Sequence, residues 1–198
     1  MLAPAPIIVQ NLAVARGDKR LLQGLEQRLV GGEVVHLTGR NGIGKTSLLE
    51  ALAGLRQPES GSVQGLDSES VHWLGHKNGL SPALTPVENL EFWCGLSGAD
   101  ARGVRSALER LHLGRAVSRP VRVLSTGQKR RSALARLLLQ PRPWWLLDEP
   151  FAGLDTDGVA LLAELIAHHT SSGGGVLMTS HQALPACCGA VREWRLSA

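Results

Sequence analysis

The stretch Val34–Leu55, VVHLTGRNGIGKTSLLEALAGL, decides the reading of this chain. Val34 to Thr38 is short and largely apolar, which predicts a buried strand. Gly39 to Thr46 matches G-x-x-x-x-G-K-[ST] without a gap. Leu48, Leu49 and Leu52 follow at helical spacing, and the run stops near Gly54. Strand, glycine loop and helix in that order predict a phosphate-binding loop. Gly39, Gly42 and Gly44 let backbone N–H groups turn inward onto phosphate oxygens, and the helix dipole adds to their pull. Lys45 is placed to reach the β and γ phosphates, and the Thr46 hydroxyl to ligate Mg²⁺. Arg40, Asn41, Ile43 and Ser47 complete a nucleotide-binding run over 39–47.

Two further apolar strands serve the same site. WWLLDEP ends in Asp148 and Glu149. An Asp closing a buried strand beside a phosphate loop is placed for Mg²⁺. Glu149 points to the other side of the strand end, where it can hold an attacking water as general base. Trp144 and Trp145 read as packing. GVLMTSH ends in His181, and strand C-termini of a parallel sheet line the ligand crevice, so His181 can hydrogen-bond a γ-phosphate. His168 and His169, near the end of a helix over 158–169, read as favourable charges or partial charges near the C-terminal dipole.

The bulk composition excludes several classes. The chain has 198 residues, 43% hydrophobic and 19% charged, which fits one domain or two small lobes with an ordinary core. No apolar run approaches the ~18–20 residues of a membrane span. The start lacks the pattern of an export signal, so a cytoplasmic protein is expected. Cys94, Cys187 and Cys188 show no framework spacing and fit reduced thiols. The formal charge of +4 accompanies only 4% aromatic residues, too few for base-stacking platforms, so no nucleic-acid partner is expected. The excess charge suits phosphates and a mild preference for a membrane face.

A second stretch narrows the class. In VLSTGQKRRSALARLLLQP (Val123–Pro141), Ser125 and Gln128 form a capping-box pattern, and leucines at helical spacing run to Pro141. Gly127 and the cations Lys129, Arg130 and Arg131 make this helix start bare and basic, as if to meet an anion. No N/T-K-x-D motif argues for a GTPase, and a small-molecule kinase explains neither LSTGQ nor the paired Asp148–Glu149.

The order of phosphate loop, LSTGQ, WLLDEP and GLD (Gly153–Asp155) resembles the ATP-binding-cassette family over essentially the whole chain. The resemblance implies an α/β fold: a P-loop NTPase core with a parallel sheet, an antiparallel β lobe and a helical lobe. It implies one such nucleotide-binding domain over 1–198, with the helical lobe at about 77–140. The front segment, 7–33, with alternating runs split by RGDKR and GGE, fits the β lobe. LTPVENL predicts a helix capped by Thr85, Pro86 and Glu88, and a second helix runs over about 101–111, with Val104, Ala107, Leu108 and Leu111 on one face. In the family this lobe docks a membrane subunit.

The resemblance also implies the cofactors ATP and Mg²⁺ and a partner, a second copy of the chain packed head to tail. Each copy then presents Ser125, Thr126, Gly127 and Gln128 to the γ-phosphate on the other, and Asp155 communicates between the two sites. Three positions depart from the family pattern. Thr126 stands where glycine is usual. His76, in WLGHKNG, aligns with the usual glutamine that meets Mg²⁺ and water. Arg16 stands near the usual adenine-stacking aromatic, and the chain has no tyrosine. A guanidinium over the base predicts weaker purine discrimination.

The short cassette and its motif wording are similar to the ATP-binding subunits of bacterial haem exporters of cytochrome c maturation. That likeness implies an ATP hydrolase working with integral membrane subunits, peripheral at the cytoplasmic face of the bacterial inner membrane. ATP hydrolysis would drive haem delivery or release of a haem-loaded chaperone. An exporter ATPase for another cargo, or a soluble ATPase of the same family, stays open at this point.

Overall fold

The computed structural model describes residues 4–67 and 69–197, with the side chain of Cys187 outside the described residues. The chain forms two compact units. The first runs up to Gly75 and includes Arg142–Pro150 and Ala163 onward; the second is His76–Pro141 with Phe151–Leu162.

In the first unit, β1 (Ile7–Arg16) and β2 (Lys19–Leu29) pair antiparallel, from Ile7↔Leu29 to Arg16↔Lys19. Gly17, at φ +59, supplies the left-handed residue of the tight turn. β3 (Val34–Thr38) and α1 (Lys45–Leu52) follow as the sequence predicts. β4 (Ser60–Gln64) then adds to the other edge of β1, with Val9 opposite Val63. Its sequence, SGSVQ, carries no strand pattern. The open edge of β1 recruits it, a case of context overriding propensity.

A second sheet is wholly parallel, in the order β5-β6-β7-β3-β8. Its remaining strands are β5 (Val71–Leu74), β6 (Trp144–Leu147), β7 (Gly175–Met178) and β8 (Val191–Arg195). Every residue of β6 and β7 is buried, the mark of a sheet covered on both faces. Leu37, Leu48, Leu49, Leu146 and Leu177 share one core with Ile7, Leu12 and Leu29 of the antiparallel sheet. Leu48 and Leu49 are fully buried, so truncating either to alanine would cost about 2–5 kcal/mol.

In the second unit, α2 (Pro86–Ser97) starts with the predicted capping box. The Glu88 N–H donates to Thr85 Oγ1 (3.2 Å), and the Thr85 N–H to Glu88 Oε2 (2.8 Å). A 3₁₀ turn over Ala101–Gly103 leads into α3 (Val104–Arg110), which buries Val104, Ala107 and Leu108, with Leu111 just beyond it. The helix read as continuous to Pro141 is two pieces, α4 (Thr126–Leu134) and α5 (Arg136–Leu139). At the joint, the Leu138 N–H donates to the carbonyl of Ala135, three residues back, tightening the turn. Gln140 is extended, as a residue before proline must be.

α6 (Thr156–Ser171) begins in the second unit and ends in the first. Near its end the structure decides between a full and a partial charge at His169. The ring stacks on Trp145 with centroids 4.0 Å apart and planes 7° from parallel, and Nε2 lies 3.2 Å from the Pro143 carbonyl. Burial pushes its pKa from 6.5 down to about 4, so the ring is neutral at pH 7 and contributes no charge to the helix end. Trp144 and Trp145 are buried, as expected of packing residues. Among the described residues, no helix is long and apolar enough to cross a membrane.

Candidate functional site

The candidate nucleotide site lies in the first unit, where β3 hands over to α1. Gly39, Gly42 and Gly44 adopt φ +145, +78 and +117, values an L side chain rarely takes. A Cβ on Gly44 would stand 3.1 Å from Leu21 Cβ, so β2 closes directly on the loop. The Lys45 ammonium donates to the carbonyls of Gly39 (2.8 Å) and Arg40 (3.4 Å), which folds it back over the loop it serves. Arg40, Asn41, Gly42 and Thr46 are exposed, Ile43 is half-buried, and Ser47 is buried at the base of α1. The cradle is open to an incoming phosphate chain.

The end of β6 meets this loop. The Asp148 N–H continues the ladder to Leu74 O at 2.8 Å, and the side chain is 3% exposed. Thr46 Oγ1 donates to Asp148 Oδ2 at 2.8 Å. A hydroxyl that spends its hydrogen on a carboxylate keeps its lone pairs for a cation. These two hard oxygen donors fit Mg²⁺, which takes few protein ligands and completes its shell with phosphates and water. No cluster of three or more His, Cys, Asp or Glu that could enclose an ion occurs among the described residues.

Glu149 follows with φ +49, a left-handed conformation that costs a bulky residue about 1 kcal/mol or more. Its Oε2 accepts the His181 N–H at 3.0 Å, and Oε1 lies 3.5 Å from His181 Nε2. Lys45, Thr46, Asp148, Glu149 and His181 therefore converge in one unit from three separate sequence segments. β7 itself stops at Met178, and the ladder gains one further bond, Thr179 N–H to Leu147 O. Arg16 is exposed at the end of β1, opposite Lys19.

The remaining predicted residues lie in the second unit. Ser125 Oγ accepts the Gln128 N–H (3.2 Å), and Gln128 Oε1 accepts the Ser125 N–H (3.0 Å), closing the predicted capping box at the start of α4. Ser125 and Thr126 are exposed. A Cβ on Gly127 would come within 3.0 Å of the Gly153 carbonyl. The three following cations do not form the bare basic cap that their spacing suggests. Arg130 is 3% exposed and donates to Asn78 Oδ1 at 3.1 Å. Arg131 pairs with Asp155. Only Lys129 of the three has no salt bridge or burial of this kind, and it is half-buried.

Asp155 also takes the Gly158 N–H at 2.9 Å, which caps the start of α6. That bond, then Arg131, hold its carboxyl below the usual carboxylate range. Asp155 thus ties α4 to α6. His76 is exposed, two residues after Leu74, the residue that takes the Asp148 N–H. Cys94 and Cys188 are buried, and burial raises the Cys94 thiol.

The family model described as ABC transporter matches residues 22–152. The chain belongs to the ABC transporter family. It is 44% identical to the cytochrome c biogenesis ATP-binding export protein CcmA of Methylococcus capsulatus, over 92% of this chain and 94% of that protein. It is 43% identical to the protein of the same description from Hyphomonas neptunium, over 90% and 92% of the two chains. The fold matches that of the ATP-binding cassette MJ0796, solved as a dimer in a post-hydrolysis state bound to ADP and Pi, with TM-score 0.76, 24% identity and coverage of 89% and 88%.

The sequence reading overlooked two contributors. Leu21 and Leu22 of β2 close against Gly44, and the leucine pair after RGDKR was their only signal. Thr179 lies inside the quoted GVLMTSH run, yet only the folded register shows what its hydroxyl touches.

Proposed function

We propose that this ABC transporter ATPase is the hydrolytic subunit of a membrane complex that powers haem export or delivery in cytochrome c biogenesis, including release of a haem-loaded chaperone. The reading is carried by near full-length similarity to export proteins of that process. It is supported by a site whose residues fit ATP and Mg²⁺.

ATP is held by the loop N–H groups of 39–47 and by Lys45. Thr46 and Asp148 would hold Mg²⁺, which would supply charge neutralisation to the phosphate chain. Glu149 takes a proton from the attacking water. The water oxygen bonds to the γ phosphorus while the bond to the bridging oxygen breaks, and ADP leaves with that electron pair. His181 donates to a γ oxygen, and the tie between its N–H and Glu149 couples the two groups. His76 assists the water, and Arg16 covers the purine.

A second copy completes the site. Its α4 start, Ser125 to Gln128, offers the γ-phosphate a helix dipole and the N–H groups that the capping box does not use, and hydrolysis removes that link. Asp155, bonded to both α4 and α6, carries the coupling between sites. The complex lies at the cytoplasmic face of the bacterial inner membrane, with the chain peripheral. Phe92 and Leu96, one turn apart on α2 and 65% and 74% exposed, form the apolar contact for a membrane subunit.

The test uses cells whose only copy of the chain carries Lys45→Ala. Loss of covalent haem from c-type cytochromes, restored by the original chain, is the expected result. Normal haem attachment would remove the haem reading and leave the ATPase in search of another cargo.

A further inference from the structure

Thr179 is fully buried just past β7, inside the GVLMTSH run, where the motif reading gives a role to His181 alone. Its hydroxyl makes two bonds. It donates to Asp148 Oδ1 at 2.8 Å and accepts the Glu149 N–H at 2.9 Å. Asp148 is therefore clasped from both sides, by Thr46 on Oδ2 and by Thr179 on Oδ1. The terminal torsion of an aspartate is soft, so two fixed donors set the plane of the carboxylate.

The Glu149 side of the same hydroxyl carries the inference further. Glu149 holds a left-handed φ of +49, which persists only where the surroundings over-determine it. The three-residue run 179–181 grips it at both ends: Thr179 takes its amide hydrogen, and the His181 N–H holds its carboxylate. One hydroxyl thus bonds both the Asp148 carboxylate and the backbone that aims the base.

We infer that Thr179 is a positioning residue for ATP hydrolysis, fixing the Asp148 carboxylate and the strained backbone of Glu149 in one geometry. This rests on the reading of Asp148 as the Mg²⁺-side carboxylate and of Glu149 as the base. Valine matches threonine in shape but lacks the hydroxyl, and serine keeps the hydroxyl while losing the methyl. The experiment compares Thr179→Val and Thr179→Ser with the original chain and with Glu149→Gln. It measures kcat and KM for ATP, Mn²⁺ affinity in the presence of ADP by electron paramagnetic resonance, and Tm.

For Thr179→Val, kcat falls about tenfold or more while KM stays within about twofold, because misaimed groups lose rate and not substrate. Mn²⁺ affinity falls by about tenfold, the usual scale for disturbing an outer partner of a metal ligand. Thr179→Ser stays within about threefold of the original on both measures, whatever its Tm. If Thr179→Val does not fold, Thr179→Ala against Thr179→Ser reads the same hydroxyl. Unchanged kcat and Mn²⁺ affinity in the hydroxyl-free variant, with hydrolysis lost in Glu149→Gln, would overturn the inference. Undiminished hydrolysis in Glu149→Gln would instead remove the base reading and the Glu149 half of the inference, leaving the Mn²⁺ titration to decide the Asp148 half.

Discussion

The stack of His169 on Trp145 makes the stability of this fold depend on pH in a window where most carboxylates stay ionised. The imidazole titrates at about 4 in the folded chain against 6.5 as a free side chain, with burial as the main cause. Above pH 6.5 the ring is neutral in both states and favours neither. Between 6.5 and 4 the unfolded chain takes up a proton that the folded chain refuses. Unfolding then binds more protons, so stability falls as pH falls. Each pKa unit is worth about 1.4 kcal/mol, and integrating from pH 7 to pH 5 gives about 2 kcal/mol. Water reaches part of the ring, which brings the expected loss to about 1–2 kcal/mol. The assay is urea unfolding at pH 7, 6 and 5 of the original chain and of His169→Phe, which keeps an aromatic face against Trp145 but cannot titrate. The original chain should lose about 1–2 kcal/mol more than the variant over this range, since all other titrating groups are shared. Equal slopes for the two proteins would refute the reasoning. Trp145 lies three residues before Asp148 in β6, so the stack also anchors the strand that delivers the acidic pair.

Other consequences follow from the site and the surface. Lys45→Ala removes the ammonium held over the loop, and ATP affinity should fall by about tenfold or more, the scale of a lost charge-assisted bond; equilibrium binding of a fluorescent ATP analogue checks it. With Arg16 in place of an aromatic, GTP should be turned over with a kcat/KM within about threefold of ATP, and Arg16→Tyr should restore preference for ATP; strict ATP selectivity in the original chain would count against this base contact. Phe92→Ser with Leu96→Ser should leave stability within about 0.5 kcal/mol, because both side chains face solvent, yet should weaken co-purification with membrane subunits by about tenfold.

Much of this fold is legible along the chain because its key features are local. The phosphate loop needs three glycines, a lysine and a threonine within eight consecutive positions, and both capping boxes need partners three residues apart. Signals of this kind survive without knowledge of the fold. β4 does not, because SGSVQ becomes a strand only against the edge of β1. β5 and β8 are missed for the same reason: VHWL and VREWR are short, and their pairing with β6 and β3 defines them.

Charge is where local reading misleads most. Lys129, Arg130 and Arg131 stand together just inside the start of α4, and a count of neighbours makes that start a basic cap. The partners that decide the matter are remote: Asn78 lies 52 residues before Arg130, and Asp155 lies 24 residues after Arg131. Once these bonds form, Arg130 and Arg131 hold the second unit together, and in the proposed site any anion at the α4 start would be met by backbone N–H groups and Ser125. An anion site made of N–H groups has a different signature from one made of guanidinium groups. Its affinity comes from fixed dipoles, so it depends on the helix start being intact more than on net charge. Removing Arg131 should therefore disturb the site through Asp155 and the alignment of α4 with α6, and not through lost positive charge. Arg131→Lys, which keeps the charge but loses the planar guanidinium, separates the two causes. Hydrolysis reduced in Arg131→Lys about as much as in Arg131→Ala places the effect in geometry, and full rescue by lysine would return it to charge.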